Sequence, residues 1–446
     1  MTEVRDSVAT AGDLLDDLRW RGLLHQVTDE TVARAALADS RVRAYIGFDP
    51  TAASLHVGSL LQIMMLCRLA RAGHQPIFVI GGGTGMIGDP SGKSQERTLL
   101  DDATVGAHAA AITAQIRDIY VRAAEDAPFV AVDNADWLGQ AQLIEFLRDV
   151  GKYFSVNAMI QRDSVRTRLD QREQGISFTE FSYMLLQAYD FLELYRRYGC
   201  RAQFGGSDQW GNIASGIDLI HRLCPDDPMG APFGLTVPLV TTKSGQKFGK
   251  TEAGAIWLDA NMTSPFQFFQ FWINTDDADV SRYLRSFTFL DHKSIEALEG
   301  RHALAPENRE AQRTLALEVT TLVHGEMACK NAELASSLVF GTDRPDDAGL
   351  PAAEVFAILA AEIPTAHVTA EPGPVPQQLL LVGEDPGFAF RSNGEAKRAL
   401  LAGSVSINGF KLSADLREPL DRACFQHDRF AVVRVGKKQR FLVVVD

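Results

Sequence analysis

The chain has 446 residues, 46% of them hydrophobic and 23% charged, with a net charge of −13 at neutral pH. That length accommodates about two to four domains, and the composition supplies a full apolar core without a metal or disulfide staple. No apolar run reaches the ~20 residues that span a bilayer. The early acids Glu3, Asp6, Asp13, Asp16 and Asp17 argue against a signal or transit peptide. Cys67, Cys200, Cys224, Cys329 and Cys424 are isolated, with no CxxC pair, and read as thiols of a reducing cytoplasm rather than zinc ligands. The charge is uneven: residues 376–446 hold eleven Lys and Arg against eight Asp and Glu. An acidic body with a basic tail suits an RNA contact confined to one patch.

In chain order, residues 11–40 carry leucines at helical spacing (Leu14, Leu15, Leu18, Leu23, Leu24). A short strand over 43–48 and the loop Asp49-Pro50-Thr51 follow, then a helix from about His56 to Ala72, stopped by Gly73. Pro76–Ile80 reads as a buried strand ending in Gly81-Gly82-Gly83. Strand, helix and strand within so short a stretch make a βαβ unit with parallel strands. The alternation continues through a helix near 141–149, an apolar helix over Tyr183–Tyr195, and strands at 201–204 and 235–240. These elements predict an α/β catalytic domain with a doubly wound, Rossmann-like parallel sheet over 1–255, its ligands bound beyond the carboxyl ends of the strands. A helical domain is expected over 256–345, a linker holding one helix over 346–375, and a small α+β domain over 376–446. In that last part, Asn408-Gly409 marks a hairpin turn.

Two short motifs suggest chemistry. His56-Val57-Gly58-Ser59 lies where a loop becomes a helix, so free N–H groups and the helix dipole face an anion. Lys247-Phe248-Gly249-Lys250-Thr251 follows an apolar strand in a glycine-bracketed loop, where two lysines three apart can close over a triphosphate. Taken singly, each reads as a capping histidine or as solvated charge; together, at the two ends of an α/β domain, they suggest a nucleotide site. The glycine-rich run from Gly81 to Ser94 is not a P-loop, because only three residues separate Gly88 from Gly92 where that cradle needs four. Tyr183, Gln187 and Asp190 stand at i, i+4 and i+7, one face of one helix. A carboxylate and an amide facing a core without partners would cost several kcal/mol, so they should meet polar ligand groups.

HVGS followed by KFGKT resembles the HIGH and KMSKS signatures of class I aminoacyl-tRNA synthetases. The segments YxGFDPTAxSLHxG, GGxTGxIGDPSGK, FTEFSYMLLQAYDF and GGSDQWGN resemble the tyrosyl branch, across Tyr45–Thr251. The segment Arg391–Arg398 and the hairpin after it resemble the S4 RNA-binding fold. The resemblance implies that Tyr45 and Asp190 bind the phenol of L-tyrosine. Asp89, Tyr183 and Gln187 would hold its α-amino group, and Gln209 would be a further tyrosine-binding residue. For ATP it implies Gly47, Asp49, His56, Gly58, Gly206, Asp208 and Lys250, and for the reaction Thr51, His56, Ser59, Lys93, Arg97, Lys247, Lys250 and Thr251. MgATP is the expected substrate form, with no metal or organic cofactor held by the protein.

For RNA, Arg391, Lys397, Arg398, Lys411, Lys437 and Lys438 are the candidates, with tRNA(Tyr) as partner. The region 264–340 would meet the anticodon arm. The resemblance also implies a homodimer in the cytoplasm with no membrane partner. Ser59 departs from the usual histidine or asparagine and reaches less far, and Ile46 replaces a small polar or thiol residue, so it can pack on a ribose without hydrogen bonding. The rivals are the tryptophanyl branch, disfavoured by Asp190 and the tail, and an RNA-binding protein with a decayed nucleotide fold.

Overall fold

The computed structural model describes residues 14–446 apart from 40, 90–99, 126, 163–164, 167–168, 170–175, 227, 242, 244–247, 252–253, 342–352 and 437–438. Lys93, Arg97, Lys247, Lys437 and Lys438 therefore lie outside the described residues, and Lys250 and Thr251 are described in their backbone alone.

The first unit holds a sheet of six strands: β1 (Gln26–Val27), β2 (Arg43–Phe48), β3 (Gln75–Ile80), β4 (Ala131–Asp133), β5 (Ala202–Gly206) and β6 (Phe233–Val237). Their order is β1-β6-β5-β2-β3-β4. All neighbours from β6 to β4 are parallel, and only β1 joins antiparallel, on the edge. Strands β5 and β6 are buried along their whole length and β3 nearly so, as strands covered on both faces must be. The chain winds outward in opposite directions from β2 and β5, so the crevice between them is the topological switch point. There Tyr45 of β2 stands opposite Gln203 of β5.

Helices position the strand ends. Val57–Arg71 is buried on most of its surface and packs against β2 and β3. Asp102–Ala123 is capped by Asp101, whose carboxylate accepts from the Thr104 amide. Phe178–Tyr198 starts at Ser177, which caps Glu180, and stops at Gly199, whose φ of 60° gives the left-handed turn that glycine adopts without strain. With Trp210–Leu223 it encloses a core of Tyr45, Phe191, Leu194, Ile213 and Ile217.

The helical stretch expected from Ser264 resolves into Pro265–Ile273, Asp277–Phe287, His292–Leu304, Glu310–His324 and Glu326–Phe340. The chain divides into one unit of residues up to Thr263 with Thr275–Leu315, and a second of Ser264–Asn274 with Ala316–Asp446. The second unit contains a strand pair, β10 (Val375–Pro376) with β13 (Pro419–Leu420), and the antiparallel set β11 (Val405–Ile407), β12 (Phe410–Lys411), β14 (Phe430–Val435) and β15 (Gln439–Val445), in the order β12-β11-β14-β15. Asn408 and Gly409, with φ of 46° and 82°, make the hairpin turn. A further strand, β9 (Thr365–Val368), pairs parallel with β15, so the segment 346–375 contributes a strand as well as the helix Ala353–Glu362.

Candidate active site

The carboxyl ends of β2 and β5, the glycine loop after β3 and one face of Phe178–Tyr198 meet in two hydrogen-bonded clusters. Asp49, just past β2, accepts from the Thr84 hydroxyl at 3.0 Å and from the Tyr183 phenol at 3.2 Å. Asp89 accepts from Gln209 Nε2 at 2.8 Å, and Gln209 Oε1 accepts from Gln187 Nε2 at 3.1 Å. Asn212 donates to Gln187 Oε1 at 2.8 Å. Asp49 and Tyr183 thus pair in one cluster, and Asp89, Gln187 and Gln209 in the other.

Deeper in, Asp190 is 4% exposed. Its Oδ1 accepts from the Trp137 indole at 2.7 Å and its Oδ2 from Asn134 Nδ2 at 3.0 Å. Burial pushes its carboxyl up to about 7, although both bonds pull the other way. The Tyr45 hydroxyl is buried and makes no hydrogen bond among the described residues. Burial, and after it the charge of Asp190, holds that phenol well above its ordinary value. A buried hydroxyl without a partner costs about 1–3 kcal/mol, and each Asp190 oxygen keeps a further lone pair. Tyr45 and Asp190 can therefore take a ligand hydroxyl between them, one donating and the other accepting.

At the amino end of the helix Val57–Arg71, His56 is the cap, its Nδ1 accepting from the Gly58 amide at 3.0 Å. The neutral ring then carries its proton on Nε2, which can donate to an oxygen. A Cβ on Gly58 would come within 2.7 Å of the His56 ring, so this glycine makes room for the cap itself. A Cβ on Gly47 would meet nothing within 4 Å, so this exposed glycine presents open backbone at the end of β2. On Gly206 a Cβ would press on Asp208 at 2.6 Å. Thr51 and Asp208 are exposed and Ser59 is half-buried, whereas Ile46 is buried.

The second signature lies against the first. Lys250–Thr251 and Gly254–Ala255 form a small hairpin, β7 and β8. The chain beyond it is bonded to the start of the helix: Val57 N–H donates to the Ile256 carbonyl at 2.9 Å, and Leu258 N–H to that of Leu55 at 2.8 Å. Phe248 is buried against Tyr283 and Phe287.

Thr84, Asn134, Trp137, Gln203 and Asn212 join the network or its walls without having been singled out by the sequence. Asn134 alone binds Asp190, Thr84 and the Gly83 amide. In the second unit Arg391, Lys397, Arg398 and Lys411 are all exposed, with Lys397 and Arg398 on the helix Asn393–Leu401. Among the described residues no cluster of His, Cys, Asp and Glu is arranged to hold a metal ion, and no helix is long and apolar enough to cross a membrane.

A parallel sheet with a histidine-capped helix start, a second signature bonded to it and a polar crevice at the switch point defines a class I tRNA synthetase domain. The family model for tRNA synthetases class I (W and Y) matches residues 37–341. The tyrosine–tRNA ligase of Geobacillus kaustophilus is 49% identical over 433 residues, 97% of this chain and 99% of that one. The tyrosine–tRNA ligase of Thermobifida fusca is 45% identical over 441 residues, 96% and 98% of the two chains. Among solved structures, a C-terminally truncated mitochondrial tyrosyl-tRNA synthetase of Aspergillus nidulans superposes with a TM-score of 0.66 at 32% identity, covering 73% of this chain and 96% of that one. The chain belongs to the class I tRNA synthetases, in the branch of the tyrosine–tRNA ligases.

Proposed function

We infer that the chain activates L-tyrosine with ATP, forming tyrosyl-adenylate and pyrophosphate, and then transfers the tyrosyl group to the 3′-terminal ribose of tRNA(Tyr). One observation carries the substrate assignment: the buried, unpartnered Tyr45 hydroxyl faces the charge of a carboxylate, Asp190, held by two donors. A phenylalanine ring there would leave the Tyr45 hydroxyl unpaired and give the Asp190 carboxylate no donor beyond Trp137 and Asn134. Asp89, Tyr183 and Gln187 supply acceptors for the α-ammonium group, and Gln209, bonded to Asp89 and Gln187, holds them in place.

The attacking tyrosine carboxylate is already ionised, so the reaction needs no general base. It displaces pyrophosphate in line at the α-phosphorus of MgATP, and the chain's part is positioning and charge stabilisation. His56 and the amides at its helix start face the phosphates, Gly47, Gly58, Gly206, Asp49 and Asp208 seat the nucleoside, and Thr51 and Ser59 flank it. Lys93, Arg97, Lys247, Lys250 and Thr251 act on the leaving group. Arg391, Lys397, Arg398, Lys411, Lys437 and Lys438 meet tRNA phosphates. The assembly is a cytoplasmic homodimer. Leu143, Ile144, Val156 and Phe178, between 57% and 78% exposed, are side chains of the kind a partner subunit would cover.

ATP–pyrophosphate exchange without tRNA tests the first step. Tyrosine should support exchange while phenylalanine and tryptophan do not. Exchange with tryptophan would overturn the role of Asp190, and none with any of the three would leave RNA binding as the surviving activity.

A further inference from the structure

The loop from Asp49 to His56, which the preceding reading places against ATP, is held from behind by a helix that contributes nothing to that site. On Asp102–Ala123, His108 and Gln115 are seven residues apart, two turns along one face. His108 Nδ1 meets the Pro50 carbonyl at 3.2 Å, which makes Nδ1 the donor. Gln115 uses both ends of its amide: Oε1 accepts from the Leu55 N–H at 2.9 Å, and Nε2 donates to the Ser54 hydroxyl at 3.0 Å. One helix face therefore grips both ends of the loop that carries Thr51 and leads into His56.

Ser54 extends the grip to the second signature. Its side chain is buried at 4% exposure. It donates to the Leu55 carbonyl at 2.8 Å and accepts from the Asp259 amide at 3.2 Å as well as from Gln115. With one donor and two acceptor sites used, this hydroxyl is saturated. The Leu55 carbonyl also receives the Leu258 amide. Gln115 is thereby two hydrogen bonds away from Asp259, on the segment that leaves the KFGKT hairpin.

We propose that Gln115, acting through Ser54, is a positioning residue that sets the nucleotide loop and the exit of the KFGKT hairpin in register with each other. The proposal rests on the reading of the 49–56 loop as part of the ATP site. A glutamate at position 115 would turn a second acceptor toward a hydroxyl whose proton is already committed to Leu55. Gln115→Met removes both bonds at similar volume, and Ser54→Ala removes the shared node.

The test is pyrophosphate exchange, normalised to active sites by burst titration, with ATP and tyrosine varied separately. Gln115→Met should raise the half-saturating ATP concentration about three- to tenfold, as expected when a pair of neutral hydrogen bonds is removed. The tyrosine dependence should stay within about twofold of the parent. Ser54→Ala should move in the same direction, and the double variant should add little, because the two residues share one network. Both half-saturations unchanged, with only fewer active sites, would reduce Gln115 to a structural role and overturn the proposal, as would additivity in the double variant. His56→Ala in the same assay separates the two claims. If it leaves the ATP dependence unmoved, the loop is not a nucleotide site. If it weakens ATP while Gln115→Met does not, only the positioning role fails.

Discussion

Asp190 answers to two opposed requirements. Its carboxyl, pushed up to about 7 by burial, holds a proton in the folded chain that the unfolded chain has already released above about pH 4. Stability from this group therefore declines as pH rises from about 4 to 7. Recognition runs the other way, because a phenol donates to the ionised form. The half-saturating tyrosine concentration at saturating ATP should rise by up to about tenfold from pH 8 to pH 6, and Asp190→Asn should flatten that dependence. A flat profile in the parent protein would remove Asp190 from phenol recognition. The stripe Tyr183, Gln187 and Asp190 was legible because helical periodicity alone puts the three on one side. Trp137 and Asn134 were not, since each is a single polar-tipped residue after a short strand, and its partner lies more than fifty positions away.

At the scale of the element, the KFGKT hairpin depends on two features of ordinary packing. Gly249 has a φ of 77°, and a Cβ there would reach Val57 Cγ2 at 2.4 Å; its neighbour Phe248 fills a pocket of aromatic rings. Gly249→Ala meets both backbone strain and a clash with the first turn of the helix Val57–Arg71. A penalty of about 1–3 kcal/mol should slow exchange roughly tenfold to a hundredfold, with tyrosine binding in the absence of ATP unchanged. Equal loss in both measurements would mean that the hairpin supports the whole domain rather than the nucleotide step. Most elements of the first unit could be read from apolar runs and glycine stops. Strand β9 could not: only Ala366 and Val368 of its four residues turn inward, too weak a pattern to stand out until β15 supplies its partner.

For the molecule as a whole, charge separates the two reactions. The net of −13 disfavours nucleic acid in general, so binding must fall to local basic faces such as that of Lys397 and Arg398. Replacing both by alanine should leave pyrophosphate exchange intact. It should weaken tRNA charging and make tRNA binding less sensitive to salt, the logarithmic slope falling by about one for each phosphate no longer neutralised. An unchanged salt slope would place the RNA-binding face elsewhere.

The backbone bonds from Leu55 and Val57 to Leu258 and Ile256 also bear on how the protein comes into being. They close a loop of some two hundred residues, among the most distant pairings in the first unit, and such closures carry their entropic cost before any interaction rewards them. A chain emerging from the ribosome can assemble the tyrosine crevice once Gln209 and Asn212 are out. The stretch that fastens the ATP loop arrives almost fifty residues later, so during synthesis the growing polypeptide should acquire amino-acid recognition before it acquires the means to activate it.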